Sequence, residues 1–334
     1  MTICGDTRIT PPPRPGGLDI LAVLVCLDEG VQYPIVRGDI MLSQPFGEEQ
    51  ARITTIASRS FDLNTEVAIY LGQGMKHEVY RGLVRNMQYR TLRRGMRMVE
   101  LNCAHVLEAM RHYYLKEDIS LGAMSQYDAI EAIKQHLPFE IVNEASKKEQ
   151  IGGAEFHAWK ESALDCIKQI ATHCLIYADG TRLVVKEDTH DVVLHITPQS
   201  NIVEINYEQN REHMYHACHV IGDGVEYTAY DERAQGIKEL VIKDDKIHTE
   251  WEAKMRAEQE LYLANQATLH LTITLAGFVP PVWGDCRIAL PGVHEVLPIA
   301  SYTYRISDAG LLTTVSFGKP ETTLKSLFAI LKRR

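Results

Sequence analysis

The sequence predicts a mainly β protein with an α/β insertion: two small β-barrel domains in one chain, separated by a helix-strand-helix-hairpin module. Three observations carry this. Short alternating strands with glycine turns fill residues 18–103. Helical apolar spacing takes over between residues 118 and 190. Alternation then returns, most clearly over Thr268–Leu275, and ends in a hairpin of Ser301–Ile306, the turn Asp308–Gly310 and Leu311–Phe317.

Composition sets the bounds. The chain has 334 residues, enough for two or three domains, and is 45% hydrophobic and 24% charged, as a chain with packed cores should be. The formal net charge of −9 argues against gripping nucleic acid through its phosphates, while leaving open a channel that nucleic acid passes without sticking. Seven cysteines, an odd number with no CxxC pair, predict reduced thiols and no disulfide framework. The longest apolar run, Ile20–Leu27, lies between Asp19 and Asp28 and is too short to span a bilayer, so no stable membrane insertion is expected. The N-terminus shows no basic region followed by an apolar one, so no secretory signal is expected.

Residues 1–17 end in a proline-rich stretch, Pro11–Gly17, which reads as an extended N-terminal arm. Residues 18–117 form the first barrel domain. Its strands are Leu18–Leu27, Ile35–Leu42, Arg52–Ala57, Thr65–Leu71, His77–Arg90 and Met96–Cys103, and a helix with Val106, Met110 and Tyr113 on one face closes it. Residues 118–190 form the α/β module. Ser125 caps a helix carrying Ile130, Ile133 and Leu137. Phe139–Val142 is a strand, a second helix runs from about Ala158 to Cys174, and a hairpin turns at Asp179-Gly180. The polar stretch Asn143–Gly153 between its halves reads as a mobile loop. Residues 191–319 form the second barrel domain, with strands Val192–Ile196, Ile202–Tyr207 and His213–Gly222. A surface loop over Tyr227–Gly236 follows, then a helix from about Thr249 to Asn265 with Trp251, Met255 and Tyr262 inward. Residues 320–334 are an amphipathic C-terminal helix. Leu324, Leu327, Phe328 and Leu331 form its apolar stripe and are partner-binding candidates, docking either on their own barrel or on another chain.

Candidate chemistry is thin. His213, His216, Cys218 and His219 are the one dense cluster of metal-capable residues. In a strand only His216 and Cys218, or His213 and His219, share a face, and zinc needs three or four converging ligands. The segment therefore reads as barrel wall, with His216 and Cys218 the residual metal candidates and no cofactor expected. Gly72–Met75 and Gly222–Gly224 read as turns, since neither has phosphate-loop spacing. No GxSxG nucleophile elbow occurs, and Cys174 reads as a core residue on a helix face. The adjacent pairs Glu48-Glu49 and Asp244-Asp245 read as solvated charge. No enzyme is predicted.

Three segments resemble one family. Tyr80–Met87 (YRGLVRNM) is similar to an aromatic-x-Gly-x-Val strand. Ser162–Ala171 followed by Tyr177–Leu183 is similar to a helix, a Gly turn and a Leu strand. Ala253–Leu263 followed by Trp283–Ile288 and the closing hairpin is similar to a last barrel, with Trp283-Gly-Asp285 where Pro-Gly-Asp is expected. Together, over residues 18–318, they resemble the baseplate hub proteins of phage tails: the late control D family and the hub part of VgrG-like spike proteins. The resemblance implies a non-enzymatic homotrimeric ring with pseudo-sixfold symmetry, joining a sixfold tail tube to a threefold central spike in a phage or a phage-like contractile injection system. It implies a separate spike protein as partner, because the chain ends soon after the second barrel. It also implies a tail tube or distal tail protein, a baseplate wedge or tape measure protein, and DNA only in passage through the lumen. Location would be the virion tail, after assembly in the host cytoplasm. Two rival readings are a metal-dependent cell-wall hydrolase of the tail tip, using the His213–His219 segment, and a monomeric adaptor for receptor-binding fibres.

Overall fold

The computed structural model describes residues 22–318, apart from 58–59, 73, 75, 92–96, 117–118, 120, 122–123, 149–161, 172–173, 210–214, 232–233, 235–236, 245–246, 267–268 and 292. The expected N-terminal arm and the C-terminal helix with Leu324, Leu327, Phe328 and Leu331 lie outside the described residues, as do residues 149–153 of the Asn143–Gly153 loop; its start is corrected, because Asn143 and Glu144 end a strand and Ala145 and Ser146 are buried.

The first barrel uses β1 (Ala22–Cys26), β2 (Val31–Ser43), β3 (Gln50–Ala57), β4 (Glu66–Leu71), β5 (His77–Thr91) and β6 (Arg97–His105). Sheet order is β1-β4-β5-β6-β3-β2, and β2 pairs back onto β1, so the barrel closes. Alternation puts Ile40, Ile53, Ile69 and Leu101 inside, all fully buried, against outward polar neighbours. The helix expected at Val106 is a short 3-10 turn, Val106–Arg111, whose first orphan N–H is taken by the His105 ring: Leu107 N donates to His105 Nδ1 at 3.2 Å.

The module consists of α1 (Gln126–Lys134), β7 (Ile141–Glu144), α2 (Ala163–Ile170), β8 (Cys174–Asp179) and β9 (Arg182–Glu187), with sheet order β7-β9-β8. Ser125 and Ser162 cap the two helices by accepting the N–H groups of Asp128 and Asp165. Gly180, at φ +60°, makes the hairpin turn. Cys174 corrects the sequence reading, because it opens β8 instead of ending α2. It is buried all the same, with its thiol 3.5 Å from Gln126 Oε1.

Two strands follow, β10 (Val192–Ile196) and β11 (Ile202–Gln209), and then a small unit of its own. β12 (Ala217–Ile221), β13 (Glu226–Tyr230) and β14 (Glu239–Lys243) make a separate three-stranded sheet under α3 (Glu250–Gln266). Here the sequence reading is corrected three times. The described part of the expected His213–Gly222 strand, Ala217–Ile221, belongs to this sheet and not to the barrel wall. Tyr227–Tyr230 is strand and not loop, its partly buried Tyr227 and buried Ala229 packing under α3 while Glu226 and Thr228 point away. The inward face of α3 is Ala253, Ala257 and Leu261, whereas Met255 is 48% exposed. Two alanines one turn apart bring the helix axis close to the sheet, which larger side chains would prevent. The side chains of Trp251 and Tyr262 lie outside the description.

β15 (Leu269–Ala276), β16 (Asp285–Leu290), β17 (Val293–Ser307) and β18 (Gly310–Phe317) complete the second barrel, in the order β10-β16-β17-β18-β15-β11. This is the order of the first barrel again, strand for strand in chain sequence. Registers repeat too. Ile53 faces Leu101 and Ile273 faces Val315. Glu66 faces Leu83 and Asp285 faces Pro298. The extra residue of a β-bulge sits at Arg85 on β5 and at Ala300 on β17, and again at Val36 on β2 and at Val203 on β11. Besides bulges at Val79 on β5 and at Val193 on β10 that have no counterpart in the other barrel, the copies differ in three ways. β10 lies parallel to β16, where β1 is antiparallel to β4. No pairing joins β10 to β11 among the described residues, so the second barrel is open there. The six-residue loop Gln44–Glu49 between β2 and β3 is replaced by the whole β12–β14 and α3 unit.

Candidate assembly surface

The two barrels share a wall. Over Gly38–Met41, β2 pairs with β3 on one side and β17 on the other, so the sheets fuse. The result is one antiparallel wall of eight strands, β5-β6-β3-β2-β17-β18-β15-β11, four from each barrel. One row of directly opposed residues crosses all of it: Leu83, Ala104, Gln50, Met41, Thr303, Thr314, Thr274 and Glu204. Residues opposite one another share a face. One face of the wall is the two barrel interiors, with Ile40, Ile53, Tyr304 and Val315 fully buried. The other is polar and solvent-facing. It is rich in hydroxyls, with Thr272, Thr274, Thr303 and Thr314 each half-buried, and Thr274 and Thr314 are hydrogen-bonded to each other at 2.9 Å. Three of its arginines are paired with carboxylates: Arg305 with Asp39 at 3.1 Å, Arg37 with Asp308 at 2.7 Å, and Arg52 with Glu100.

A polar junction holds the module against the wall. The β2–β3 loop turns through a cis peptide at Gln44-Pro45 and through Gly47 at φ +144°. Glycine is favoured at 47 by that φ, which side-chain-bearing residues rarely adopt, and it leaves room for the ends of Lys168 and Arg111. The loop sends Phe46 into the module core, and Phe46 N donates to Ile176 O of β8 at 2.7 Å. Glu49 folds the loop on itself. Its Oε1 accepts from Ser43 N (3.3 Å) and Ser43 Oγ (3.0 Å), and its Oε2 from Gly47 N (2.7 Å). Burial outweighs these bonds and pushes the Glu49 carboxyl from 4.5 up to about 7. The reading of Glu48-Glu49 as solvated charge is thus corrected at Glu49, which is buried. Burial, with Arg111 beside it, lowers Lys168, while Glu49 acts the other way. His105, edge-on to Phe46 and Tyr80, is held neutral by burial, its value falling from 6.5 to about 3. Across the junction, Tyr177 of the module meets Trp283 at 6.0 Å, and Trp283 packs edge-on to Tyr302 at 5.3 Å. Trp283, which stands where the resembled pattern has proline, therefore ties the module to the second barrel.

The predicted chemical candidates are placed as follows. Cys218 is fully buried in the core under α3, and burial first, then Glu260, pushes its thiol up to about 11. His216 stacks edge-on to Tyr230 at 5.7 Å, with its Nδ1 buried and without a hydrogen-bond partner. His219 is engaged by Thr228 Oγ1 at 2.8 Å and by Glu239 at 3.2 Å. His213 is outside the described residues. Among the described residues, no three His, Cys, Asp or Glu side chains converge as a metal site would require. Six cysteines are free and buried, and Cys4 lies outside the description. No described helix is long and apolar enough to cross a membrane.

No protein-family model matches the sequence, and no curated protein matches it by sequence. Solved structures do match the fold. A 43 kDa tail protein of prophage MuSo2 from Shewanella oneidensis superposes with a TM-score of 0.73 at 12% identity, covering 89% of this chain and 97% of that one. A tail protein from Neisseria meningitidis MC58 gives 0.72 at 12% identity, over 92% of this chain and 98% of that one. The E. coli c3393 protein, a component of the type VI secretion system with structural similarity to the phage T4 tail proteins gp27 and gp5, gives 0.53 at 10% identity, over 87% of this chain and 76% of that one. At these identities the likeness is one of fold alone, and it agrees with the resemblance read from residues 18–318: this chain is built on the fold shared by these phage tail and type VI secretion proteins.

Proposed function

We propose that the chain is a structural hub of a phage tail or phage-like injection particle. Three copies would form a ring that joins a sixfold tail tube to a threefold spike. The observation that carries this reading is the register-level repeat. Each chain contributes two barrels of one topology, fused edge to edge through a common wall. Three such chains present six similar four-strand panels, which suits a sixfold neighbour on one side and a threefold one on the other. The polar wall face is the natural lining of the lumen. Three of its arginines are occupied by carboxylates, and the chain carries −9 overall, which leaves little positive charge there to hold a phosphate backbone. The work is mechanical, and the buried junction at Glu49 and Phe46 supplies rigidity, with no part in a reaction.

The expected partners are a separate spike protein, a tail tube or distal tail protein, and a wedge or tape measure protein, with DNA only in transit. The stripe Leu324, Leu327, Phe328 and Leu331 is the proposed docking element for one of them. Light scattering tests the reading. A mass of three chains, alone or after mixing with a spike chain, supports it. A strict monomer in both conditions overturns it in favour of an adaptor.

A further inference from the structure

The internal joint between the barrels predicts the joint between chains. Within the chain, the second half of β17 (Ser301–Ile306) has one edge left over after pairing with β18, and β2 fills it over Gly38–Ser43. The repeat maps β17 onto β5 and β2 onto β11, bulge for bulge. In β5, the β4 side is filled as far as Val84, which bonds Asn64 and Thr65, so among the described residues 86–91 pair on the β6 side only. Among the described residues β11 pairs with β15 only. The two ends of the eight-strand wall are thus the same two edges that already meet in its middle, each without its counterpart.

We propose that β11 of one copy pairs antiparallel with the second half of β5 of the next copy, repeating the β2–β17 joint between chains. This rests on the ring reading and adds to it which edges meet and in which register. Ser301↔Ser43 through Ile306↔Gly38 carries over to Met87↔Gln209, Gln88↔Glu208, Tyr89↔Tyr207, Arg90↔Asn206 and Thr91↔Ile205. Exposure agrees. Tyr304 at the internal joint is 0% exposed, and its equivalent Tyr89 is 41% exposed. Gly38 is buried there, and its equivalent Ile205 is 43% exposed. A second copy would cover both. The occupant is a second copy because the edges are complementary and unlike. The contact is therefore head-to-tail, and head-to-tail contacts close into rings or run on as filaments.

Disulfide trapping tests the register. In a Cys4→Ser background, Gln88→Cys and Glu208→Cys are placed in one chain. Within a chain the two sites stand at opposite ends of eight strands, roughly 30 Å apart, far beyond disulfide reach. Opposed residues of a strand pair are about 4.5–5.5 Å apart at Cα, within reach. Mild oxidation should give a covalent trimer on a non-reducing gel. The pair Gln88→Cys with Asn206→Cys, two residues out of register, should stay uncrosslinked. A trimer by mass without the first crosslink, or with both pairs linking equally, overturns the joint and leaves the ring reading standing. A monomer by mass overturns both.

Discussion

Glu49→Gln isolates the buried carboxyl that folds the β2–β3 loop. The fold raises the Glu49 carboxyl from 4.5 to about 7, so the folded protein favours the neutral acid. That contribution is complete below pH 4.5 and is lost as pH rises through 7. At 1.36 kcal/mol per unit it amounts to roughly 3 kcal/mol. His105 works in the opposite direction. Its value falls from 6.5 to about 3, so the folded protein favours the neutral ring, and that contribution is present above pH 6.5 and lost as pH falls toward 3. Between pH 4.5 and 6.5 the two slopes cancel, and wild-type stability should be nearly flat. The variant keeps only the His105 slope, so its stability should climb by about 3 kcal/mol over the same interval. Urea unfolding, followed by tryptophan fluorescence at pH 4.5, 5.5 and 6.5, measures both curves. Parallel curves for wild type and variant would refute the assignment of a buried, neutral Glu49.

Other outcomes follow from the same contacts. Phe46→Ala empties a fully buried site in the module core and should cost about 3–5 kcal/mol, seen as early proteolysis within residues 118–190 while both barrels resist. Gly82→Ala should destabilise the first barrel, since the new Cβ would lie 2.7 Å from Ala104 O and 2.5 Å from the Tyr80 ring; a thermal midpoint equal to wild type would show that β5 yields more easily than its neighbours allow. Tyr302→Phe removes the hydroxyl that bonds both Val282 N and Val282 O and should cost about 1–3 kcal/mol in urea unfolding, with Trp283 fluorescence shifted. Adding zinc should leave the thermal midpoint of the full chain unchanged; a rise that disappears in His216→Ala/Cys218→Ala would revive the hydrolase reading.

The local parts of this fold are legible in the sequence because short-range chemistry writes them. Ser125 caps its helix, Asp179-Gly180 turns its hairpin, and Val67, Ile69 and Leu71 alternate into a core. The long-range parts are not. The barrel repeat keeps its register across the shared wall yet shares few residues, such as Ile53 with Ile273, Thr54 with Thr274 and Tyr89 with Tyr304. A barrel interior asks only for an apolar residue at alternate positions, so identities fade while pairing persists. The unit inserted between β11 and β15 also shifts the spacing that would reveal a repeat. α3 misled because its buried face is alanine, which no scale of side-chain size flags as core. Glu49 misled because a carboxylate beside another in a proline-glycine loop reads as solvated. Nothing local announces that the loop is driven into a neighbouring module by Phe46.

The central claim is a ring in which each chain supplies two equivalent barrels. Electron images of the purified chain, alone and mixed with its spike, test it most directly. The account predicts class averages of a threefold particle with a central hole, surrounded by six similar lobes. Single isolated particles, or a compact assembly with no hole, would contradict it.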